Sequence, residues 1–176
     1  MLIPLKNGLY IAGSKTKIPQ PEPFLIANHL WGPSYVSLEL TLSYWGLIPE
    51  RVFDICSVTM KSAKKYYTPV GRFIYAPSSP PYLGLGIKSM SFSGKQKVLI
   101  ASPEKASCDR IIMTSGILLR STKQVNEFLL EDLRIDESFL LRLQVEEIKS
   151  WIPFAPKSSS LKMLVKFLEN LWLKNG

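Results

Sequence analysis

Apolar and polar positions change their period twice along the chain, and those changes divide it into three stretches. Residues 22–30 place Pro23, Ile26, Ala27 and Leu30 on one face, which predicts a short helix stopped by Gly32 and Pro33. Tyr35, Leu38, Leu42 and Trp45 then recur at helical spacing. They predict a second helix over 35–45, with Ser34 as its N-cap, Gly46 just past its end and Pro49 preventing continuation. Upstream, Asn7-Gly8 is a hairpin-type turn followed by the β-prone run Leu9-Tyr10-Ile11, and Pro19, Pro21 and Pro23 break regular structure.

From residue 55 the period falls to two. Cys56, Val58 and Met60 alternate with Ile55, Ser57 and Thr59, which is the signature of a strand. Phe73 and Tyr75 share one face of another strand, after Thr68-Pro69-Val70-Gly71, whose Pro and Gly suit a type I turn. Further strands are expected near 82–92 and 97–101, with a turn at Ser93-Gly94-Lys95. After residue 102 the helical period returns. Ser102, Pro103 and Glu104 have the chemistry of an N-cap, N1 and N2, opening a helix to about Thr114. Three more helices are expected over 122–133, 137–150 and 160–174, the last with Leu161, Leu164, Val165, Leu168 and Trp172 as its apolar stripe. Helices, then hairpins, then helices, without βαβ alternation, predict an α+β fold. It has two opening helices, a small mostly antiparallel sheet and a C-terminal group of about four helices.

Composition sharpens this picture mainly through charge. The chain has 176 residues, 46% of them hydrophobic, enough for one domain with a core. No long uncharged apolar run predicts a membrane span or signal peptide. Two cysteines, Cys56 and Cys108, make no disulfide framework, and a reduced cytoplasmic setting is expected. The net charge is +8. Residues 1–54 and 104–176 are nearly balanced, whereas 55–103 carry seven basic groups (Lys61, Lys64, Lys65, Arg72, Lys88, Lys95, Lys97) and no acidic one. Such a segment favours phosphate or an acidic partner, although lysines that protect a strand edge produce the same pattern. Lys61, Lys64, Lys65 and Arg72, beside Tyr66, Tyr67, Phe73 and Tyr75, form the best binding candidate, with basic groups next to stacking rings. Ordinary hairpin composition with a charged loop accounts for them equally well.

Catalytic chemistry is sparse. His29 is the one histidine, and no Cys-x-x-Cys occurs, so neither a metal site nor a cofactor is expected. Gly84-Leu85-Gly86 lacks the third glycine and the context of a dinucleotide loop; it reads as a bulge or close-packing position. Lys105 and Asp109, four apart, can pair on one helix face. An enzyme would need a carboxylate cluster assembled only in three dimensions, from Glu39, Glu104 and Asp109.

Three segments in order carry a family resemblance. They are Ile26-Ala27-Asn28-His29-Leu30-Trp31-Gly32-Pro33-Ser34-Tyr35-Val36-Ser37-Leu38-Glu39 running into Ser43-Tyr44-Trp45-Gly46-Leu47-Ile48-Pro49-Glu50; Thr59, the lysine loop and Thr68-Pro69-Val70-Gly71-Arg72-Phe73-Ile74-Tyr75; and Ile100-Ala101-Ser102-Pro103-Glu104-Lys105-Ala106 to Asp109. Together they resemble the AbiEi family, the antitoxin and transcriptional-regulator component of bacterial abortive-infection (type IV) toxin–antitoxin systems, a phage-defence device. The resemblance covers residues 5–135. It implies a non-enzymatic domain over 21–176 that counters a nucleotidyltransferase-type toxin without requiring a stable complex with it. It implies architectural roles for Ser37, Gly46, Pro69, Gly71, Ser102, Pro103, Glu104, Lys105 and Asp109. Family members carry an N-terminal winged helix-turn-helix. Here residues 1–20 read as a linker plus Leu5-Lys6-Asn7-Gly8-Leu9-Tyr10-Ile11, which resembles only its last wing strand, so operator binding does not carry over. The competing expectation is a nucleic-acid-binding module that holds DNA or RNA through 55–103.

Overall fold

Ser34–Val36, Ile55–Thr59, Lys64–Thr68, Gly71–Pro77, Ile87–Ser91 and Lys97–Ala101 make one six-stranded mixed sheet in a computed structural model that describes residues 1–176. We number these strands β3 to β8, after β1 (Leu2–Lys6) and β2 (Leu9–Ala12), which pair as a separate antiparallel hairpin across Asn7-Gly8. The sheet order is β5-β6-β4-β3-β8-β7. Three of its pairings are antiparallel (β3–β4, β5–β6, β7–β8) and two parallel (β3–β8, β4–β6). The helices are α1 (Pro23–Leu30), α2 (Leu38–Tyr44), α3 (Pro103–Met113), α4 (Thr122–Asn126), α5 (Glu137–Leu140), α6 (Val145–Trp151) and α7 (Ser158–Asn175). The fold is α+β.

The sheet has a core on each face. On one side Val36, Ile55, Phe73, Tyr75 and Ile100 meet Ile26, Ala27 and Leu30 of α1, together with Leu5 and Ile11 of the β1–β2 hairpin. On the other side Tyr35, Val58 and Ala101 join the larger core formed with the C-terminal helices. Residues 1–12 thus contribute side chains to the same core as α1 rather than standing apart from it.

The segment 34–36 corrects the expected helix start. Ser34 is no N-cap; it opens β3, whose three residues are all buried between β4 and β8. A strand buried on both faces shows no alternation, so its Tyr and Val read equally well as the start of a helical stripe. The helix begins at Leu38 after Ser37, and Gly46 closes it. The N–H of Gly46 donates to the Ser43 carbonyl at 3.0 Å and that of Leu47 to Leu42 at 2.8 Å, a Schellman pair with Gly46 at φ +77°.

Three more corrections concern the C-terminal helices. The helix expected over 137–150 is broken between α5 and α6, because the Gln144 N–H donates to the Glu104 carboxylate at 3.0 Å. Trp172, expected in the buried stripe of α7, is 66% exposed, while Phe167 and Leu171 are buried. The face in contact follows 161, 164, 168 and 171, and Trp172 lies one residue past it, about 100° around the helix. The segment expected as one helix over 122–133 continues from α4 into a wider turn, Glu127–Asp132, closed by Leu133 N–H to Phe128 O at 3.0 Å.

Gly86 is where the sheet side meets the helices most closely. Its φ is +67°, and a Cβ there would lie 2.7 Å from the Trp151 ring and 2.8 Å from the Lys105 Cβ. Both the backbone conformation and the space demand glycine. Gly86→Ala should therefore destabilise the chain by about 2–4 kcal/mol, read as a lowered urea midpoint at unchanged m-value. The same change at Gly84, whose Cβ would meet nothing within 4 Å, should stay within about 0.5 kcal/mol.

Candidate functional site

The expected binding residues lie on β5, its preceding loop and β6, and the register divides them. Lys64 pairs with Tyr75 and Tyr66 with Phe73, on the face that packs against α1. Lys65 pairs with Ile74 and Tyr67 with Arg72, on the opposite face. Lys61, Lys64, Lys65, Tyr66, Tyr67 and Arg72 therefore do not make one patch. Pro69 and Val70 form the two-residue connection between the strands, and Thr68 and Gly71 close it, with the Thr68 hydroxyl donating to the Gly71 carbonyl at 2.9 Å.

On the α1 face the grouping is tighter than the sequence indicated, and it has a centre. Trp31, at the C-cap of α1, has three ammonium groups around its indole: Lys61 at 4.7 Å, Lys64 at 5.7 Å and Lys6 at 5.9 Å from the ring centroid. Tyr66 completes it, 6.1 Å from Trp31 and 5.7 Å from the Lys64 ammonium. The ring is held by its own N–H, which donates to the Ser62 carbonyl at 3.0 Å. Lys6 is held by the last carbonyl of α1, Leu30 O, at 2.5 Å, a cation at the negative end of a helix. Each cation–π contact contributes roughly 0.5–1 kcal/mol at an exposed site. On the other face, the Arg72 guanidinium meets the Asp54 carboxylate at 2.6 Å, so its charge is locally balanced. Lys65 has no such partner and projects from the edge strand.

The family-motif residues meet elsewhere, inside the molecule. Asp109, fully buried on α3, accepts hydrogen bonds from Ser37 (2.7 Å), Tyr35 (2.9 Å) and Tyr82 (2.9 Å), and its carboxylate lies 3.5 Å from the Lys105 ammonium. Lys105, also fully buried, donates to the Tyr82 carbonyl at 2.7 Å and lies over the Tyr82 ring. Ser102 caps α3 by accepting the Lys105 N–H at 3.1 Å, Pro103 opens the helix, and Glu104 takes the Gln144 N–H. Ser37 precedes α2, but its hydroxyl serves Asp109 and leaves that helix without a side-chain cap. Burial pushes the Asp109 carboxyl above the ordinary carboxylate range, with Lys105 and the three hydroxyls pulling the other way. Burial likewise lowers the Lys105 ammonium against the pull of Asp109, and raises the Tyr35 and Tyr82 phenols.

The carboxylates of a conceivable acid/base cluster have separate engagements: Glu39 with Arg110 at 2.9 Å, Glu104 with Gln144, and Asp109 with its hydroxyls. His29 is exposed beside a shallow concavity of about 430 Å³ lined also by Lys97 and Leu99. Burial pushes the Cys56 thiol up to about 12, and Cys108 is fully buried and raised further, so neither is an activated nucleophile. No helix is long and apolar enough to cross a membrane.

The fold and these two clusters define an α+β scaffold with a basic aromatic surface and a buried charged network. No family model matches the chain, and no curated protein matches it. Among solved structures, it resembles one described as the crystal structure of JHP933 from Helicobacter pylori, at 10% identity and a TM-score of 0.37, over 86% of this chain and 88% of that one. A likeness at that level carries no argument about activity.

The buried cluster makes an asymmetric prediction. Removing Asp109 strands a buried ammonium and three hydroxyls, whereas removing the Lys105 ammonium leaves the carboxylate with three donors. Asp109→Ala should cost about 3–5 kcal/mol of unfolding free energy, and Lys105→Met clearly less. The pH dependence has a defined sign. With its folded value raised, Asp109 binds its proton more tightly in the fold, so its contribution is greatest in acid and is lost as pH rises from the ordinary 3.8 through that raised value. The stability difference between wild type and Asp109→Asn, measured by urea titration, should shrink over that window as pH rises.

Proposed function

We propose that this chain is a non-enzymatic antitoxin and transcriptional-regulator domain, the role implied by its AbiEi-like segments, acting by recognition at its surface. One observation carries this reading. All seven basic groups of the acid-free segment 55–103 are exposed and six of them have no acidic partner, Arg72 alone meeting Asp54, whereas the buried Lys105 and Asp109 pair with each other. Positive charge is therefore available to a partner, and the carboxylates that acid/base chemistry would use are engaged within the protein. The partner in this reading is the nucleotidyltransferase-type toxin encoded beside it, countered without a lasting complex being required.

A second reading, a nucleic-acid-binding module, is favoured by the gathering of lysines around Trp31. Lysines that neutralise backbone phosphates supply most of the non-specific affinity for nucleic acid. The two readings are compatible in a regulator.

Co-expression tests the first. In this reading, inducing a nucleotidyltransferase-type toxin encoded beside the chain should arrest growth, and the chain supplied in trans should restore it. Continued arrest with the chain accumulating folded to the toxin's level would refute the proposal. Replacing Lys61, Lys64 and Lys65 together with Ala should weaken the rescue at least about tenfold in plating efficiency.

A further inference from the structure

We infer that Lys6, Lys61 and Lys64, gathered at Trp31, form a seat for the backbone phosphates of a bound nucleic acid; this rests on the second reading above and assigns its contact residues. The three ammonium groups come from two separate chain segments, the β1–β2 hairpin and the stretch from the loop before β5 into β5, and each lies within 5.9 Å of one indole centroid. None has a carboxylate within 4.0 Å. Like charges brought together repel, and an anion placed among them removes that repulsion.

Protection of the sheet edge does not explain the grouping. Lys64 is on the edge strand, but Lys61 precedes it and Lys6 belongs to the other sheet. Instead the local hydrogen bonds hold the group in place. The Lys61 N–H donates to the Thr59 hydroxyl at 3.2 Å, Trp31 anchors the loop at Ser62, and Leu30 O fixes Lys6. The chemistry selects phosphodiester. Three ammonium groups without a carboxylate partner, beside Trp31 and Tyr66, offer charge to the backbone and aromatic surface to the nucleotides next to it. Arg72, neutralised by Asp54 on the opposite face, lies outside the seat.

Fluorescence anisotropy with a short fluorescein-labelled duplex, and with one of its single strands, at a series of salt concentrations tests the inference. Log affinity should fall linearly with log salt, by about 0.9 per phosphate neutralised on the duplex and about 0.7 on the single strand. The triple change Lys6→Ala, Lys61→Ala, Lys64→Ala should make the duplex slope shallower by about 2.7, and Arg72→Ala should leave it unchanged. The single variants Lys61→Ala and Lys64→Ala, each at an exposed position, should each remove about 0.9 and give the answer if the triple variant does not fold. A wild-type slope that survives these changes overturns the seat and leaves the nucleic-acid reading standing. No binding at the lowest salt overturns both. Equal competition by polyglutamate of matched charge overturns the assignment to phosphodiester.

Discussion

One buried carboxylate joins the parts of this molecule that sequence separates. Asp109 on α3 accepts from Tyr35 on the central strand β3, from Ser37 at the head of α2 and from Tyr82 in the connection before β7. Its fourth neighbour, Lys105, is one turn back on the same helix and bonds the Tyr82 carbonyl. A charge pair in a dry interior is costly to desolvate and is retained only when its remaining hydrogen bonds are satisfied. Here Asp109 has all its neighbours as donors, and Tyr82 answers both partners. The network therefore contributes geometry more than net stability, because it fixes how α3 sits on the sheet and leaves few alternative arrangements.

That fixed placement has local consequences. With Lys105 turned into the core at the first turn of α3, its Cβ lies against Gly86, which must be glycine, and Trp151 of α6 closes over the same spot. Glu104, the next residue back, is thereby aimed at the Gln144 N–H and sets where α5 ends and α6 begins. Lys157, which opens α7, donates to the carbonyls of Ile111 and Thr114 at the far end of α3. Both ends of α3 are thus tied to the later helices by side chains meeting its unsatisfied backbone groups or neighbouring backbone.

Much of the architecture was legible because the two periods are strong where one face is buried. The caps at Ser102 and Gly46, the hairpin at Asn7-Gly8, the alternating strand at 55–59 and the amphipathic α7 all follow from local chemistry. Failures occurred where tertiary contacts override local preference. The segment 34–36 is covered on both faces, with Tyr35 in one core and Val36 in the other, and so lost the alternation that would reveal it. The break before α6 depends on one carboxylate arriving from forty residues away. The separation of Lys65 and Arg72 from Lys61 and Lys64 is a matter of pleat, since adjacent strand residues point to opposite faces. Lys6 and Trp31 could not be joined to the lysine loop from spacing, because their neighbourhood is created by the hairpin packing on α1. The i, i+4 relation of Lys105 and Asp109 was visible, but not that both face inward.

The distribution of charge follows from the same division between inside and outside. Asp109 and Lys105 are fixed within the core, whereas the seven cations of the acid-free stretch lie on the surface, where they keep their hydration. Only Arg72 finds an acid, and it does so by reaching back to Asp54, just outside the stretch. The hairpin packing that buries Leu5 and Ile11 also carries Lys6 to the end of α1, where the helix's terminal carbonyl holds it beside Trp31. Hydrophobic burial of residues 1–12 and the arrival of Lys6 at the indole are therefore one structural event. A change that loosens the hairpin's apolar contacts also withdraws Lys6 from Trp31, even though it touches no lysine, while Lys61 and Lys64 keep their places on the other segment.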